Sequence, residues 1–109
     1  MEKRNIEISY GNILSIPFPD KSFDVVFVEA VFCMLHPDLV EDALKEVMRV
    51  AKKYVILVEL DNNKIGEVKG GRTGANWSEL LKFNKRRITT DEWDAAPWNE
   101  CGVVIICQI

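Results

Sequence analysis

The sequence predicts an α/β fold on a mostly parallel sheet, and two observations carry that prediction. The runs at residues 23–28 and 54–59 are almost continuously apolar and rich in β-branched residues, as are parallel strands covered on both faces. Between them, Leu39, Val40, Ala43, Leu44, Val47, Met48, Val50 and Ala51 follow the three-and-four spacing of one helix face. Strand, helix, strand in that order makes a right-handed parallel crossover the default connection. Length sets the scale. One strand, one helix and two loops take roughly 25–28 residues, so the 109 residues hold about four such units, whereas a full doubly wound sheet uses about six. Residues 1–109 are read as a single domain with one modest core.

The elements follow in order. Ile6-Glu7-Ile8-Ser9-Tyr10 alternates apolar and polar residues until Gly11-Asn12 breaks the pattern, which predicts a half-buried first strand. A proline-punctuated loop, Ile16-Pro17-Phe18-Pro19-Asp20-Lys21-Ser22, leads into the strand from Phe23 to Val28. The helix over residues 38–53 opens with Asp38 and Glu41 in capping-box relation, pairs Glu41 with Lys45 four residues on, and ends at Lys52-Lys53 without a glycine. After the strand at 54–59, residues 61–74 hold four of the six glycines and no apolar period, as a mobile surface loop does. Asn76 and Glu79 form a second capping box, opening a short helix over Trp77, Leu80, Leu81 and Phe83. A polar linker, Lys85-Arg86-Arg87, precedes a strand at 88–90, a tryptophan-bearing turn at 93–98 and a last strand at 102–109.

Composition excludes several classes of function. Fourteen basic against 17 acidic residues give a net charge of −3, with no global field to draw nucleic acid or an anionic membrane surface. The longest apolar stretches fall far short of the roughly 20 residues of a membrane helix, and Met1-Glu2-Lys3-Arg4 leads into no apolar signal core. A cytoplasmic protein is expected. Cys33, Cys101 and Cys107 are an odd set, two of them in apolar sequence, which argues against a disulfide scaffold.

Three linked blocks carry a family resemblance: Gly11-Asn12, then residues 16–26 (Ile-Pro-Phe-Pro-Asp-Lys-Ser-Phe-Asp-Val-Val), then Ala43-Leu44-Lys45-Glu46-Val47-Met48-Arg49-Val50. In that order and spacing the chain resembles the middle and later part of a class I S-adenosylmethionine-dependent methyltransferase. The resemblance implies a Rossmann-like methyltransferase sheet flanked by helices, mostly parallel with an antiparallel C-terminal strand, and S-adenosyl-L-methionine as cofactor. It is specific over residues 6–59 and holds the remainder only in outline. The family's acidic residue and Gly-x-Gly-x-Gly turn, where glycine lets the backbone approach the cofactor closely, do not occur in these 109 residues, nor does the acid that holds the ribose hydroxyls. Where the family has an acid beside the adenine amino group, this chain has Asn12, whose carbonyl can accept the same bond.

The resemblance therefore implies an adenine-side contact at Asn12 and Ile13, although an Asn after a strand is also an ordinary turn former. It implies a substrate-facing role for Glu29, at the strand end where α/β sheets place ligands; the alternative is an exposed strand-end carboxylate. Asp24 is read as structural. His36 stands three residues after Cys33, but a single pair with no second pair makes a poor metal or Cys-His site, and His36 is read as a helix-entry residue beside Pro37. No metal site is expected, and no catalytic residue emerges. Gly70-Gly71-Arg72-Thr73-Gly74 lacks P-loop spacing and is read as a lid; Trp77, Trp93 and Trp98 are read as filling between the last helix and the sheet.

In the family the strand order is three, two, one, four, five, seven, six, so without the first two strands the strand from Phe23 to Val28 becomes an open edge, with no proline, lysine or bulge signal to protect it. Three remedies follow: residues 6–10 slide beside it, two copies pair as a homodimer, or another chain supplies the missing half. Two functions fit. One is an enzyme component whose cofactor site is completed by a dimer mate or partner chain; the other is a non-catalytic methyltransferase-like remnant acting as a dimerisation or interaction module.

Overall fold

The computed structural model describes residues 5–60, 77–81, 87–89 and 102–109. Four strands form one mixed sheet in the order β1-β2-β4-β3. β1 (Phe23–Glu29) and β2 (Ala51–Leu60) are parallel and joined through the helix α1 (Pro37–Val50). β4 (Gly102–Gln108) runs antiparallel to β2 and to the short β3 (Arg87–Thr89), and α2 (Trp77–Leu80) lies between β2 and β3 in the chain. This is the predicted α/β sheet with its antiparallel end, in the order implied for the family's fourth, fifth, seventh and sixth strands.

One face of the sheet carries the core. Val26 and Val28 of β1, Val55 and Leu57 of β2, and Val103, Ile105 and Cys107 of β4 meet Val40, Ala43, Leu44 and Val47 of α1. Those α1 positions are the three-and-four set that the sequence predicts, although Leu39 turns out to be exposed. Phe32 and Trp77 close the core edge to face, ring centroids 5.3 Å apart.

The other face is where expectation and structure part. Continuous apolarity predicts β1 covered on both sides, yet among the described residues Phe23, Val25, Phe27 and Tyr54 remain 38–58% exposed. β1 is also the edge of the sheet, as the sequence predicts. The expected strand at residues 6–10 does not form. Ile6, Ile8 and Tyr10 are 75–101% exposed and enter no ladder, because alternation makes a strand only where a partner supplies hydrogen bonds and an apolar surface. That segment therefore does not cover the β1 edge.

Smaller corrections concern element ends. The N-cap of α1 lies two residues before the predicted one: Pro37 occupies the first turn, and His36 is the N-cap, its Nδ1 accepting from the Asp38 amide at 3.2 Å. His36 is thus the helix-entry residue it was read to be, and Asp38 is not the cap. Glu41 and Lys45 do pair, at 3.8 Å on the surface. The helix passes straight into β2 at Ala51, so Lys52 and Lys53 belong to the strand. Between Phe23 and Val25 the β1–β2 register slips, an irregularity that the sequence did not announce. Asp24 lies in it, exposed and with no side-chain hydrogen bond among the described residues, so a backbone-bonding role for its carboxylate is not seen. Residues 70–74, Asn76, Lys85, Arg86, Trp93, Trp98 and Cys101 lie outside the described residues. No helix among the described residues is long and apolar enough to cross a membrane.

Candidate functional site

A groove of about 400 Å³ opens beside the C-terminal half of β1, between residues 9–13 and 16–18 on one wall and Val26–Glu29 with Val31 on the other. It brings together all three residues singled out from sequence: Asn12, Ile13 and Glu29. Its lining is mainly apolar, with a few polar groups at the rim, the usual make-up of a small-molecule site.

The loop wall is fixed from behind by α1. Asn12 builds a tight turn: its Oδ1 accepts from the Leu14 amide at 2.9 Å and its backbone carbonyl from the Ser15 amide at 2.9 Å. The side-chain amide of Asn12 makes no hydrogen bond among the described residues, so the turn former retains a polar handle. Gly11 packs closely on the proline loop, since a Cβ there would stand 3.2 Å from Pro17 Cδ. Beyond the turn, Arg49 spreads its guanidinium over the proline loop. It donates to the carbonyls of Ile16 and Phe18, each at 2.9 Å, to Asp20 at 2.8 Å, and to both oxygens of Glu46 at 2.7 and 3.0 Å. Glu46 in turn accepts from the Ile16 amide at 2.8 Å. The Glu-x-x-Arg spacing thus places a carboxylate and a guanidinium one helical turn apart, so that together they grip both backbone groups of Ile16. Arg49 first, and then the Ile16 amide, hold the Glu46 carboxyl below the usual carboxylate range.

Planar, forked donation is what this clamp uses, and lysine lacks it. Arg49→Lys is expected to free the loop while leaving the sheet intact. Amide exchange at Ile16 should accelerate by roughly tenfold or more, with Val55 and Leu57 unchanged; an unaltered Ile16 rate removes the clamp from the account.

The strand-side wall ends in a strained turn. Ala30 adopts φ 56°, unusual for a residue with a Cβ, and its amide donates to the Val58 carbonyl at 3.0 Å. Glu29, exposed, precedes it, and Val31 follows into the groove. Behind the turn is a residue that sequence reading passed over. Glu59 sits on the buried face of β2, fully buried, with Oε1 accepting from the amides of Val31 at 2.9 Å and Phe32 at 3.1 Å. Its Oε2 is buried without a hydrogen-bond partner among the described residues. Burial drives its pKa up to about 7 against the pull of those amides, with a smaller push from the Glu29 charge. The signal was present in the sequence: Glu59 keeps the parity of Val55 and Leu57, which places a carboxylate on the inward face of an apolar strand.

No group of three or more His, Cys, Asp or Glu side chains is placed to hold a metal among the described residues. His36 caps α1, and the buried Cys33 donates its thiol to the Ala30 carbonyl at 3.4 Å.

The groove and its clamp lie within the part of the chain that has a family counterpart. A family model described as "Methyltransferase domain" matches residues 1–58. The chain belongs to that family. Among solved structures, this methyltransferase domain is similar to a SAM-dependent methyltransferase of Methanosarcina mazei, with a TM-score of 0.64 and 22% identity over 90% of this chain and 64% of the other. It is also similar to a SAM-dependent methyltransferase of Aquifex aeolicus, with a TM-score of 0.68 and 20% identity over 97% of this chain and 56% of the other. At those identities the likeness is one of fold. A protein of Haemophilus influenzae described as uncharacterized is 33% identical over 64 residues, 59% of this chain. The methyltransferase domain spans only 26% of that relative and 56–64% of those two structures.

Proposed function

We propose that these residues form the adenine side and the acceptor side of an S-adenosylmethionine-dependent methyl-transfer site, whose glycine-rich half is supplied by a dimer mate or a partner chain. The carrying observation is that Asn12, Ile13 and Glu29 line one groove, and that this groove opens along the bare edge of β1. The residues present suit part of the cofactor. Ile13, Ile16, Val28 and Val31 offer apolar surface to a flat base, and Asn12 and Glu29 add polar groups to the lining. When bound, the cofactor supplies an electrophilic methyl group; this chain's residues orient it and hold the acceptor. What the groove lacks is a glycine cradle for the methionine part. Gly11 packs against Pro17, and no other glycine lines the groove among the described residues.

Calorimetric titration of S-adenosylmethionine into this chain tests the reading. No micromolar binding is expected for the chain alone, because the turn that admits the methionine part is missing from its sequence. Micromolar binding overturns the need for a complementing half. Exposed Phe23, Val25 and Phe27 beside an open ladder favour a second reading, a dimerisation or interaction module that transfers no methyl group. Complementation separates the two. If a polypeptide carrying the glycine-rich strands binds the chain and restores cofactor binding, the enzyme reading stands; association without cofactor binding supports the module.

A further inference from the structure

We propose that Glu59 is a positioning residue for the groove, a proton-operated latch on the turn that carries Glu29 and Val31 into it. The geometry assigns that role. A single carboxylate oxygen spans the consecutive amides of Val31 and Phe32, at 2.9 and 3.1 Å, and so fixes the start of the 3-10 turn Phe32–Met34. The same turn contains Ala30 at φ 56°, a conformation that persists only while its surroundings enforce it. The other carboxylate oxygen is buried with no hydrogen-bond partner among the described residues. A carboxylate held by one oxygen and stripped of water at the other has two unequal states. Protonated, it sits in the core at little electrostatic cost; ionised, it gains by reaching water, and it reaches water only if the turn opens.

The groups around Glu59 set the sense of the switch. From β1 the Glu29 charge, at the end of the strand and paired in register with Val58, on the other face of the sheet from Glu59, weakly opposes its ionisation. From the turn come the backbone amides of Val31, Phe32 and Cys33, which favour ionisation, while the Cys33 thiol is directed at the Ala30 carbonyl. Opposite it on β4 is Val103, and α1 presents Val40, Ala43, Leu44 and Val47, none of them ionisable. Burial outweighs the amides, so the proton is held to about 7 where the open carboxyl would release it near 4.5. Opening therefore releases a proton and is favoured as pH rises. Across that interval the opening equilibrium of the turn shifts on the order of 100-fold. The groove's strand-side wall is firm in mildly acidic solution and loosens above neutrality.

Amide exchange and NMR titration of the chain between pH 5 and 9 test this without any ligand, so cofactor binding and the latch stand or fall separately. After correction for intrinsic exchange rates, Val31 and Phe32 should lose protection by roughly 30-fold between pH 5.5 and 8.5 while Val55 and Leu57 keep theirs. The Glu59 carboxyl carbon should titrate with the same midpoint as the two amides. Glu59→Gln should abolish the pH dependence. Should that variant fail to fold, Glu29→Gln provides the second arm, because removal of the like charge should move the shared midpoint downward. The latch is overturned if Val31 and Phe32 show no inflection in this range, if the inflection survives Glu59→Gln, or if Val55 and Leu57 lose protection in parallel.

Discussion

Trp77→Ala should remove about 3–5 kcal/mol of folding free energy, a large share of the roughly 5–15 kcal/mol available to a domain of this size. Trp77 is 2% exposed, stacks edge to face on Phe32 and donates its indole N–H to the Leu60 carbonyl at 2.9 Å. Its removal opens a cavity against Phe32 and also strips a buried carbonyl at the end of β2 of its partner. The two effects separate in Trp77→Phe, which keeps most of the ring volume and loses only the hydrogen bond, at about 1–3 kcal/mol. Urea unfolding of both variants checks the ordering. Equal losses would mean that the polar contact, and not the filled volume, is what this ring contributes.

Glu59→Gln should stabilise the protein at pH 8.5 by up to about 3 kcal/mol and change little near pH 4.5. The sign follows from linkage. The folded-state pKa of Glu59, about 7, lies above the ordinary 4.5, so the stabilisation it brings is complete below about 4.5 and is lost as pH rises through about 7. Glu46 acts in the opposite sense. Its carboxyl is held below the ordinary value by Arg49 and the Ile16 amide, so its contribution is present above about 4.5 and disappears as acid protonates it. Wild-type stability should therefore peak on the mildly acidic side of neutrality. In Glu59→Gln the alkaline decline should be absent and the acid decline retained, as measured by denaturation across pH 3–9. A variant curve that still declines between pH 5 and 8 assigns the titration to another group.

Much of this fold was legible because apolar periodicity reports burial wherever chain neighbours are also neighbours in space. The α1 face and the runs in β1 and β2 are of that kind, and the two short antiparallel strands near the C-terminus fell where turn residues bounded them. The misreadings share a cause in what stands beside an element. Residues 6–10 have a strand's alternation but no ladder to join, and β1 has a doubly covered strand's composition with one face bare. Both patterns suit neighbours that are not among the described residues. At the site, Asn12, Ile13 and Glu29 were reachable through motif spacing, whereas Glu59 was not, because its role depends on a turn 28 residues earlier in the chain. The Arg49 clamp lay between. Its residues were visible as a motif, but their grip on Ile16, Phe18 and Asp20 needed the loop folded over the helix.

The junction at Val50 and Ala51 joins these parts without slack. The helix ends on one residue and the strand begins on the next, both of them buried. Arg49, which holds the loop wall of the groove, and Glu59, which holds the turn wall, are thus borne on one uninterrupted run of backbone, with no loop between them to absorb a change of length. A residue inserted after Ala51 would turn Val55, Leu57 and Glu59 away from α1 and bring Ile56, Val58 and Leu60, which now lie on the opposite face, toward it. The segment works as a lever does: its two ends are useful only at a fixed separation.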